Sequence, residues 1–329
     1  MRAAWYERHG PARGVLQFGE MLTPEPGPGE LRVKVAASVV HVSDVRKRAG
    51  AFGSEMPFPR VIPHSDGAGI VDAVGPGVPE SRIGERVWVF LAQSHRPFGT
   101  AAEYTVVPAQ HAVELPSEIE FEQAGGLGIP GITGHRAIFA DGSVDGHVVV
   151  VTGATGAVGH AAVAVARRGG ATVIATVRRS AEVNNALEAG AHHAVDAGQQ
   201  DVAEQVLVAA PNGVDRVAEV AFDQNVDLDE RILRIGGVIA TYATGSPTST
   251  VPYWPLARKN ITVRFLRDDD FPEAANQQAA KDLPRPCEPE NYATRSPPGS
   301  TSSRSRTLTK WPRTWEPPDA SSSCREVSR

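Results

Sequence analysis

The sequence predicts an α/β protein in which a mainly β region precedes a doubly wound parallel sheet. Up to about residue 125, short runs rich in β-branched residues are separated by turns, a pattern typical of a β domain. From about residue 126, apolar strands alternate with helices, which is typical of a parallel sheet covered by helices on both faces. No internal repeat is present.

The β-rich region contains an early segment, TPEPGPGE, whose prolines and glycines indicate a linker. The runs that follow it combine apolar and β-branched residues with turn residues at their ends, as strands do. The predicted strands of this region are LRVKVAASVV, GAGIVDAVG, ERVWVFL and TAAEYTVVP.

The second region is predicted from a change of rhythm, because helix-length segments now separate the apolar runs. The predicted strands are HVVVVTG, ATVIATV, HHAVD, GVDRVAEV, VIATY and NITVRFL. The predicted helices are GAVGHAAVAVARRG, SAEVNNALEAG, DVAEQVLVAA and VDLDERILRIGG.

Composition excludes several classes of protein. The chain has 329 residues, of which 41% are hydrophobic, and a formal net charge of -5, so it is long enough for two domains with cores. It has no apolar run near the roughly 20 residues that cross a bilayer and no secretory signal at its start, so we expect a cytoplasmic protein without a membrane partner. Mild acidity argues against nucleic acid as a partner. Only two cysteines occur, Cys287 and Cys324, which excludes a disulfide framework or thiolate zinc cage in the main body.

A glycine-rich turn, GATGAVG, joins the first strand of the predicted parallel sheet to its first helix. It departs from G-x-G-x-x-G because Ala154 stands where the first glycine belongs. Gly156 allows close backbone approach, Gly159 allows close helix packing, and the helix N-terminus favours a pyrophosphate. The alternative is a tight turn that holds no ligand. The predicted cofactor-binding residues here are Gly153, Ala154, Thr155, Gly156, Ala157, Val158 and Gly159.

The identity of the dinucleotide is predicted from the end of the next strand. An NAD site usually ends this strand with Asp or Glu, whereas ATVIATV runs directly into Arg178 and Arg179. Two cations without a carboxylate favour the 2′-phosphate of NADPH. The alternative is a solvated pair of surface arginines.

Several landmarks in a fixed order give the chain a family resemblance: IPHSDGAGIVDAVGPGV, IGERVW, GTAAEYTVVP, GIPGITGHRAI, VTGATGAVG, ALEAGAHHAVD and DFPEAANQQAAKDL. From residue 1 to about 282 the chain resembles the medium-chain dehydrogenase/reductase superfamily, and within it the zinc-free quinone oxidoreductase branch that includes zeta-crystallin. The resemblance implies a GroES-like catalytic domain over residues 1–125 and an NADP-binding Rossmann domain over 126–266. Residues 267–329 stand where the family completes its catalytic domain. The family's edge-to-edge pairing implies a homodimer.

The resemblance also allows the zinc-ligand positions of the family to be compared with this sequence. Zinc-dependent relatives carry a cysteine ligand where this chain has His41, and a histidine ligand where it has Ser65. The cysteine-rich structural lobe of that branch has no counterpart here. Because a zinc site needs three well-placed ligands, we predict none. A site built from His41, His64 and Asp44 is the alternative.

Without a Lewis acid, reduction of an acceptor that already delocalises charge is favoured, namely a quinone or an α,β-unsaturated carbonyl. The resemblance places His41 and Arg46 near the substrate, where His41 would donate a hydrogen bond or proton and Arg46 would stabilise an anion. It places Thr133, Tyr242 and Gly245 beside the cofactor. For each of these residues, ordinary surface or packing chemistry is the alternative.

The terminal stretch from residue 283 to 329 is rich in Pro, Ser and Arg and has no helix or strand periodicity. We hypothesise a frameshifted translation of the family's final helix and strand; the alternative is a disordered appendage that binds a partner. Such a tail would leave the catalytic domain incomplete. The competing functions are therefore an NADPH-dependent quinone or enone reductase and a non-catalytic NADPH-binding pseudoenzyme.

Overall fold

The computed structural model of the protein describes residues 1–199 and 201–283. The expectations for the terminal stretch, including the frameshift hypothesis, concern residues that lie beyond the described ones.

The first part of the chain forms antiparallel sheets, as predicted. A two-stranded sheet pairs β1 (Arg2–Trp5) with β2 (Gln17–Glu20), which are connected through the short helix α1 (Ala12–Val15). The remaining elements are β3 (Glu30–Val39), α2 (Val42–Ala49), β4 (Asp66–Val74), β5 (Arg86–Val89), β6 (Tyr104–Pro108), β7 (Ala112–Glu114) and α3 (Phe121–Ala124). The five strands from β3 onward form one antiparallel sheet in the order β6-β3-β4-β5-β7.

The second part forms a six-stranded parallel sheet, which confirms the predicted α/β class. Its strands are β8 (Val148–Val151), β9 (Thr172–Val177), β10 (His193–Asp196), β11 (Val214–Glu219), β12 (Leu233–Thr241) and β13 (Thr262–Phe265). Its helices are α4 (Gly128–Phe139), α5 (Ala157–Arg168), α6 (Val183–Glu188), α7 (Val202–Ala209), α8 (Phe222–Ile232), α9 (Tyr253–Arg258) and α10 (Glu273–Asp282). Short 3₁₀ turns cover Glu80–Arg82, Ala109–His111, Ser180–Glu182 and Asp268–Asp270.

The order of the parallel strands locates a binding crevice. The sheet runs β10-β9-β8-β11-β12-β13, so the chain leaves β8 in one direction and returns to add β11 on its other side. At such a switch point, helices leave neighbouring strands on opposite faces and open a crevice at the carboxyl ends of the strands. The turn after β8 and the turn after β11 border this crevice.

Helix α4 connects the two parts of the fold. Its first turn reaches β4, where the backbone N–H of Ile129 donates to Asp66. Its middle packs on α5 so closely that a Cβ added to Gly134 would lie 3.0 Å from the carbonyl oxygen of Val158. Helix α10 covers the outer side of α4, where His135 Nε2 is 2.9 Å from Asp282 Oδ2. Because α4 is almost wholly buried, it holds its neighbours at fixed separations.

None of the helices in the described part of the chain is both long and apolar enough to cross a membrane.

Candidate active site

The glycine turn between β8 and α5 has the backbone that its sequence predicts. Gly153 has a φ of +59°, a left-handed conformation that disfavours a side chain. Gly156 is the N-cap of α5 in an extended conformation, and the N–H of His160 makes the first helical bond to its carbonyl, at 2.8 Å. The N–H groups of Ala157, Val158 and Gly159 therefore have no carbonyl within the helix to bind.

Steric contact requires a glycine at position 159 and restricts position 156 less strongly. A Cβ on Gly159 would lie 2.4 Å from the carbonyl oxygen of Gly153, which no real Cβ tolerates. A Cβ on Gly156 would lie 3.2 Å from the same oxygen, so the fold itself accepts a methyl group there after a small shift. Gly159 is thus required by packing, whereas the missing side chain at Gly156 leaves the backbone there accessible to a ligand.

Ala154 differs from the rest of the turn because it faces the interior. It is fully buried, and its N–H donates to the carbonyl of Thr176 on β9 at 3.0 Å. A methyl group fills this part of the core, which explains why alanine replaces glycine here. Ala154 therefore shapes the turn and has no N–H to offer to a phosphate.

The end of β9 contains the two predicted arginines together with a carboxylate. Both Arg178 and Arg179 are exposed, but Arg179 Nη2 lies 2.5 Å from Glu182 Oε1. Thr155 Oγ1 of the glycine turn donates to Glu182 Oε2 at 3.4 Å. The expectation of paired cations without a carboxylate is therefore wrong, because a 3₁₀ turn brings Glu182 back against the strand end.

A second polar site lies beside the antiparallel sheet, centred on His41 and Asp66. His41 precedes α2 and Asp66 begins β4, and His41 Nε2 donates to Asp66 Oδ2 at 2.6 Å. The same carboxylate oxygen accepts the N–H of Ile129, also at 2.6 Å. Asp66 is fully buried, so these two hydrogen bonds fix its position.

The surroundings of this pair control the charge of His41. Burial by itself lowers the pKa of His41, but attraction and hydrogen bonding from Asp66, assisted by Asp44 and Asp268, raise it above its ordinary value. Burial raises the pKa of Asp44 to about 6, although His41 works in the opposite direction. These interactions therefore favour the protonated form of His41 more than a free imidazole would experience.

A buried chain of hydrogen bonds leads from the backbone carbonyl of Asp66 to His64. Thr100 Oγ1 donates to the Asp66 carbonyl at 2.6 Å and lies 2.8 Å from Ser38 Oγ, which is 2.9 Å from His64 Nδ1. Burial lowers the pKa of His64 to about 3, so this imidazole is neutral. His64 is thus part of the framework that positions Asp66.

Helix α4 brings the two polar sites into one region. Ile129 contacts Asp66, and Gly134, five residues later, contacts the first turn of α5. At 1.5 Å per residue this separation is about 7.5 Å along the helix axis. Thr133, predicted to lie near the cofactor, is buried on α4 in this interval.

The structure does not bring Arg46 to the His41–Asp66 pair. Arg46 is exposed on α2 and has no ion pair within the described residues. The neighbouring cation, Lys47, instead lies 3.1 Å from Asp269 Oδ1.

The two predicted residues after β12 have different surroundings. Burial raises the pKa of Tyr242, and its hydroxyl finds no hydrogen-bond partner among the described residues. Gly245 is exposed, and its N–H donates to Asp223 Oδ1 at 2.7 Å. A cavity of about 490 Å³ opens beyond this loop, lined by Asp223, Ser246 and Val251 among others.

A pair of buried acids lies next to Tyr242. Glu219 ends β11 and accepts from the N–H of Ala221 and from Asn225 Nδ2, while Asp229 on α8 is fully buried. Burial raises the pKa of Glu219, and burial together with repulsion and hydrogen bonding from Glu219 raises that of Asp229 well above its ordinary value. Burial and the proximity of the two carboxyl groups therefore favour a proton shared between them.

Sequence reasoning missed Asp66, Glu182 and the Glu219–Asp229 pair. Each had a signal: an acid directly before the apolar strand GAGIV, the spacing R-x-x-E after β9, and an acid within the apolar run VAEVAF. A charged residue in an apolar run is paired or protonated once the run is buried.

In the alternative zinc site, one ring nitrogen of each histidine has a protein partner. His41 Nε2 is occupied by Asp66, and His64 Nδ1 by Ser38. In the part of the chain that the structure describes, no group of three or more His, Cys, Asp or Glu residues is arranged to hold a metal ion.

Comparison with known proteins identifies the family. Residues 27–117 match the alcohol dehydrogenase GroES-like domain, and residues 157–280 match the zinc-binding dehydrogenase family. A 2-haloacrylate reductase from Burkholderia sp is 30% identical over 256 residues, which is 75% of this chain and 74% of the relative. The chain belongs to the medium-chain dehydrogenase/reductase superfamily. The expected resemblance, with its GroES-like and Rossmann folds, is thereby confirmed.

Two further relatives within this superfamily are informative. A quinone oxidoreductase from Rattus norvegicus is 31% identical over 246 residues, covering 73% of this chain and 72% of the relative. The structure of a mycobacterial protein complexed with NADPH has a TM-score of 0.73 and 25% identity, and the match covers 86% of this chain and 87% of that one.

Proposed function

We propose that the protein is a zinc-independent oxidoreductase that uses NADPH to reduce quinones or α,β-unsaturated carbonyl compounds. The similarities to a quinone oxidoreductase and a 2-haloacrylate reductase support an activated acceptor, and the similarity to an NADPH complex supports the cofactor. The observation that carries the proposal is the His41–Asp66 pair, which α4 joins to the glycine turn.

The glycine turn fits the pyrophosphate of NADPH. The N–H groups of Ala157 and Val158 would hold the phosphates at the positive end of α5, where Gly156 has no side chain to obstruct them. Arg178 and Arg179 would face the 2′-phosphate. When bound, NADPH supplies a hydride from its nicotinamide ring.

Reduction of a quinone or an enone consumes one hydride and one proton, so the protein must deliver the proton. His41 is suited to this role because Asp66 holds its imidazole in one orientation and favours its charged form. After donating the proton from its ring to the reduced acceptor, His41 would recover one from solvent, to which 9% of its side chain is exposed.

Zinc independence is supported by the sequence, because His41 and Ser65 stand where zinc-dependent relatives carry a cysteine and a histidine ligand. Acceptors that delocalise incoming charge do not need a Lewis acid, which is consistent with quinones and enones as substrates. Arg46 keeps its proposed role of stabilising an enolate or hydroquinone anion during the reaction.

A homodimer is part of the proposal. In the described part of the chain, β13 forms one edge of the parallel sheet, and Phe265 at its end is 74% exposed. Exposed Tyr253 and Trp254 on α9 add apolar surface nearby. Pairing of two such edges would cover both features. Analytical ultracentrifugation of the Phe265→Glu variant should show a monomer where the unmodified protein sediments as a dimer.

The test of the function is NADPH oxidation by the purified full chain with an ortho-quinone and, separately, with an enone. NADH and a variant carrying Arg178→Ala and Arg179→Ala serve as comparisons. We expect turnover with NADPH and a rise in its KM of about tenfold or more in the variant, since charge-assisted contacts to a phosphate are lost. Tight NADPH binding without turnover would favour the pseudoenzyme, and no NADPH binding would contradict both functions.

A further inference from the structure

The carboxylate of Glu182 lies beside the end of β9, in contact with the glycine turn and with one of the two arginines proposed to bind the 2′-phosphate of NADPH. It is 8% exposed, and one oxygen lies 2.5 Å from Arg179 Nη2 while the other accepts from Thr155 Oγ1 at 3.4 Å. The backbone N–H of Arg178 also donates to it. Glu182 thus contacts the glycine turn, the strand end and one of the two arginines at once.

The net charge at the end of β9 is less positive than Arg178 and Arg179 alone would give. Burial raises the pKa of Glu182, but hydrogen bonding and attraction from Arg179, with smaller contributions from Arg178, lower it overall, so Glu182 is an anion at neutral pH. A second carboxylate is close, because Ser180 Oγ donates to Asp196 Oδ2 at 2.5 Å. The negative charge of Glu182 therefore offsets the positive charge of Arg179 at this turn.

We propose that Glu182 is a specificity-determining residue that weakens the preference of the site for NADPH over NADH. Its carboxylate pairs with Arg179, repels a 2′-phosphate and offers an acceptor to a ribose 2′-hydroxyl. Arg178, which has no ion pair in the described residues, then becomes the main cation for the phosphate. The inference rests on the proposed function, since it concerns the same cofactor.

The competing role for Glu182 is to hold the side chain of Arg179 in position. In that role its contact with Arg179 would hold the guanidinium ready for the phosphate, and loss of the carboxylate would weaken NADPH binding. The two roles predict opposite signs for a substitution that removes the charge and keeps the shape. Glu182→Gln is that substitution, because its amide retains an oxygen for the Thr155 and Arg178 donors.

The experiment measures dissociation constants of NADPH and NADH by titration calorimetry with the full chain, in low salt and in 0.5 M salt. We expect Glu182→Gln to raise the ratio Kd(NADH)/Kd(NADPH) by about five- to tenfold in low salt, with a smaller rise in high salt, because screening weakens charge effects. In the double variant with Arg179→Ala, this rise in the ratio Kd(NADH)/Kd(NADPH) should be absent. Glu204→Gln, an exposed charge removed from α7, controls for net charge and should leave the ratio unchanged.

The outcomes separate the two levels of inference. An unchanged or lowered ratio in Glu182→Gln, with NADPH still bound by the unmodified protein, overturns the role of Glu182 and leaves the cofactor site intact. Failure of the unmodified protein to bind either nucleotide overturns the proposed function itself.

Discussion

The glycine turn and the His41–Asp66 pair are built on opposite physical principles. The turn consists of seven consecutive residues, and its glycines are needed because they have no side chain. A Cβ at Gly159 would lie 2.4 Å from a carbonyl oxygen. The pair joins side chains 25 residues apart and is completed by the N–H of Ile129. The first site depends on free space and the second on charge compensation, so substitutions should affect the two sites in different ways.

The largest effect is expected at Gly159. Gly159→Val should abolish measurable NADPH binding and lower the free energy of unfolding by about 1–3 kcal/mol or more, because the side chain collides with the backbone of Gly153. Titration of NADPH fluorescence and thermal unfolding measure the two quantities.

Gly156→Ala provides the matched comparison within the turn. Its methyl group has room after a small shift, so stability should change little while NADPH binding weakens about tenfold or more. Equal loss of stability in both variants would contradict the division between packing and ligand approach.

The next effect tests the charged site. His41→Gln should lower kcat for enone or quinone reduction by about 10²- to 10⁴-fold, the usual contribution of a positioned proton donor, and leave the Kd of NADPH unchanged. His193→Gln, at an exposed position on β10, is the control and should retain full kcat. A His41→Gln variant with normal kcat would remove His41 from the mechanism.

A smaller effect is expected on the pH dependence of stability, through the buried carboxyl groups of Glu219 and Asp229. Because the folded-state pKa of Asp229 is raised, the folded protein keeps a proton that the unfolded chain releases, so stability falls as pH rises above the unfolded value near 4. Asp229→Asn should therefore raise the free energy of unfolding by about 1–3 kcal/mol at pH 8 and much less at pH 4. Urea unfolding at the two pH values gives the comparison, and an equal change at both would refute the shared proton.

The smallest effect is expected at Arg46. Since its side chain is exposed and has no ion pair in the described residues, Arg46→Ala should reduce kcat by less than about threefold. A loss greater than about tenfold in steady-state kinetics would show that Arg46 reaches the reacting groups.

The sequence predicted what is local and periodic. The element order, the glycine turn and the arginines at the end of β9 follow from residues that are neighbours in the chain. The roles of Asp66 and Glu182 did not follow, because their partners are set by the meeting of α4 with β4 and by a 3₁₀ turn that folds back on β9. The role of Arg46 stays a prediction, since its family position did not reveal that its side chain faces solvent.

The most direct test of the central claim is the pH dependence of kcat in the unmodified protein and in Asp66→Asn. In the proposed function protonated His41 is the donor, and Asp66 is the chief cause of its raised pKa, so kcat should fall with rising pH only above the ordinary value of 6.5. In Asp66→Asn the carboxylate that raises the pKa of His41 is lost, so burial would lower this pKa. The fall in kcat should then occur at lower pH, while the affinity for NADPH stays unchanged. Identical pH profiles for the two proteins would contradict the assignment of His41 and Asp66 as the proton-donating pair.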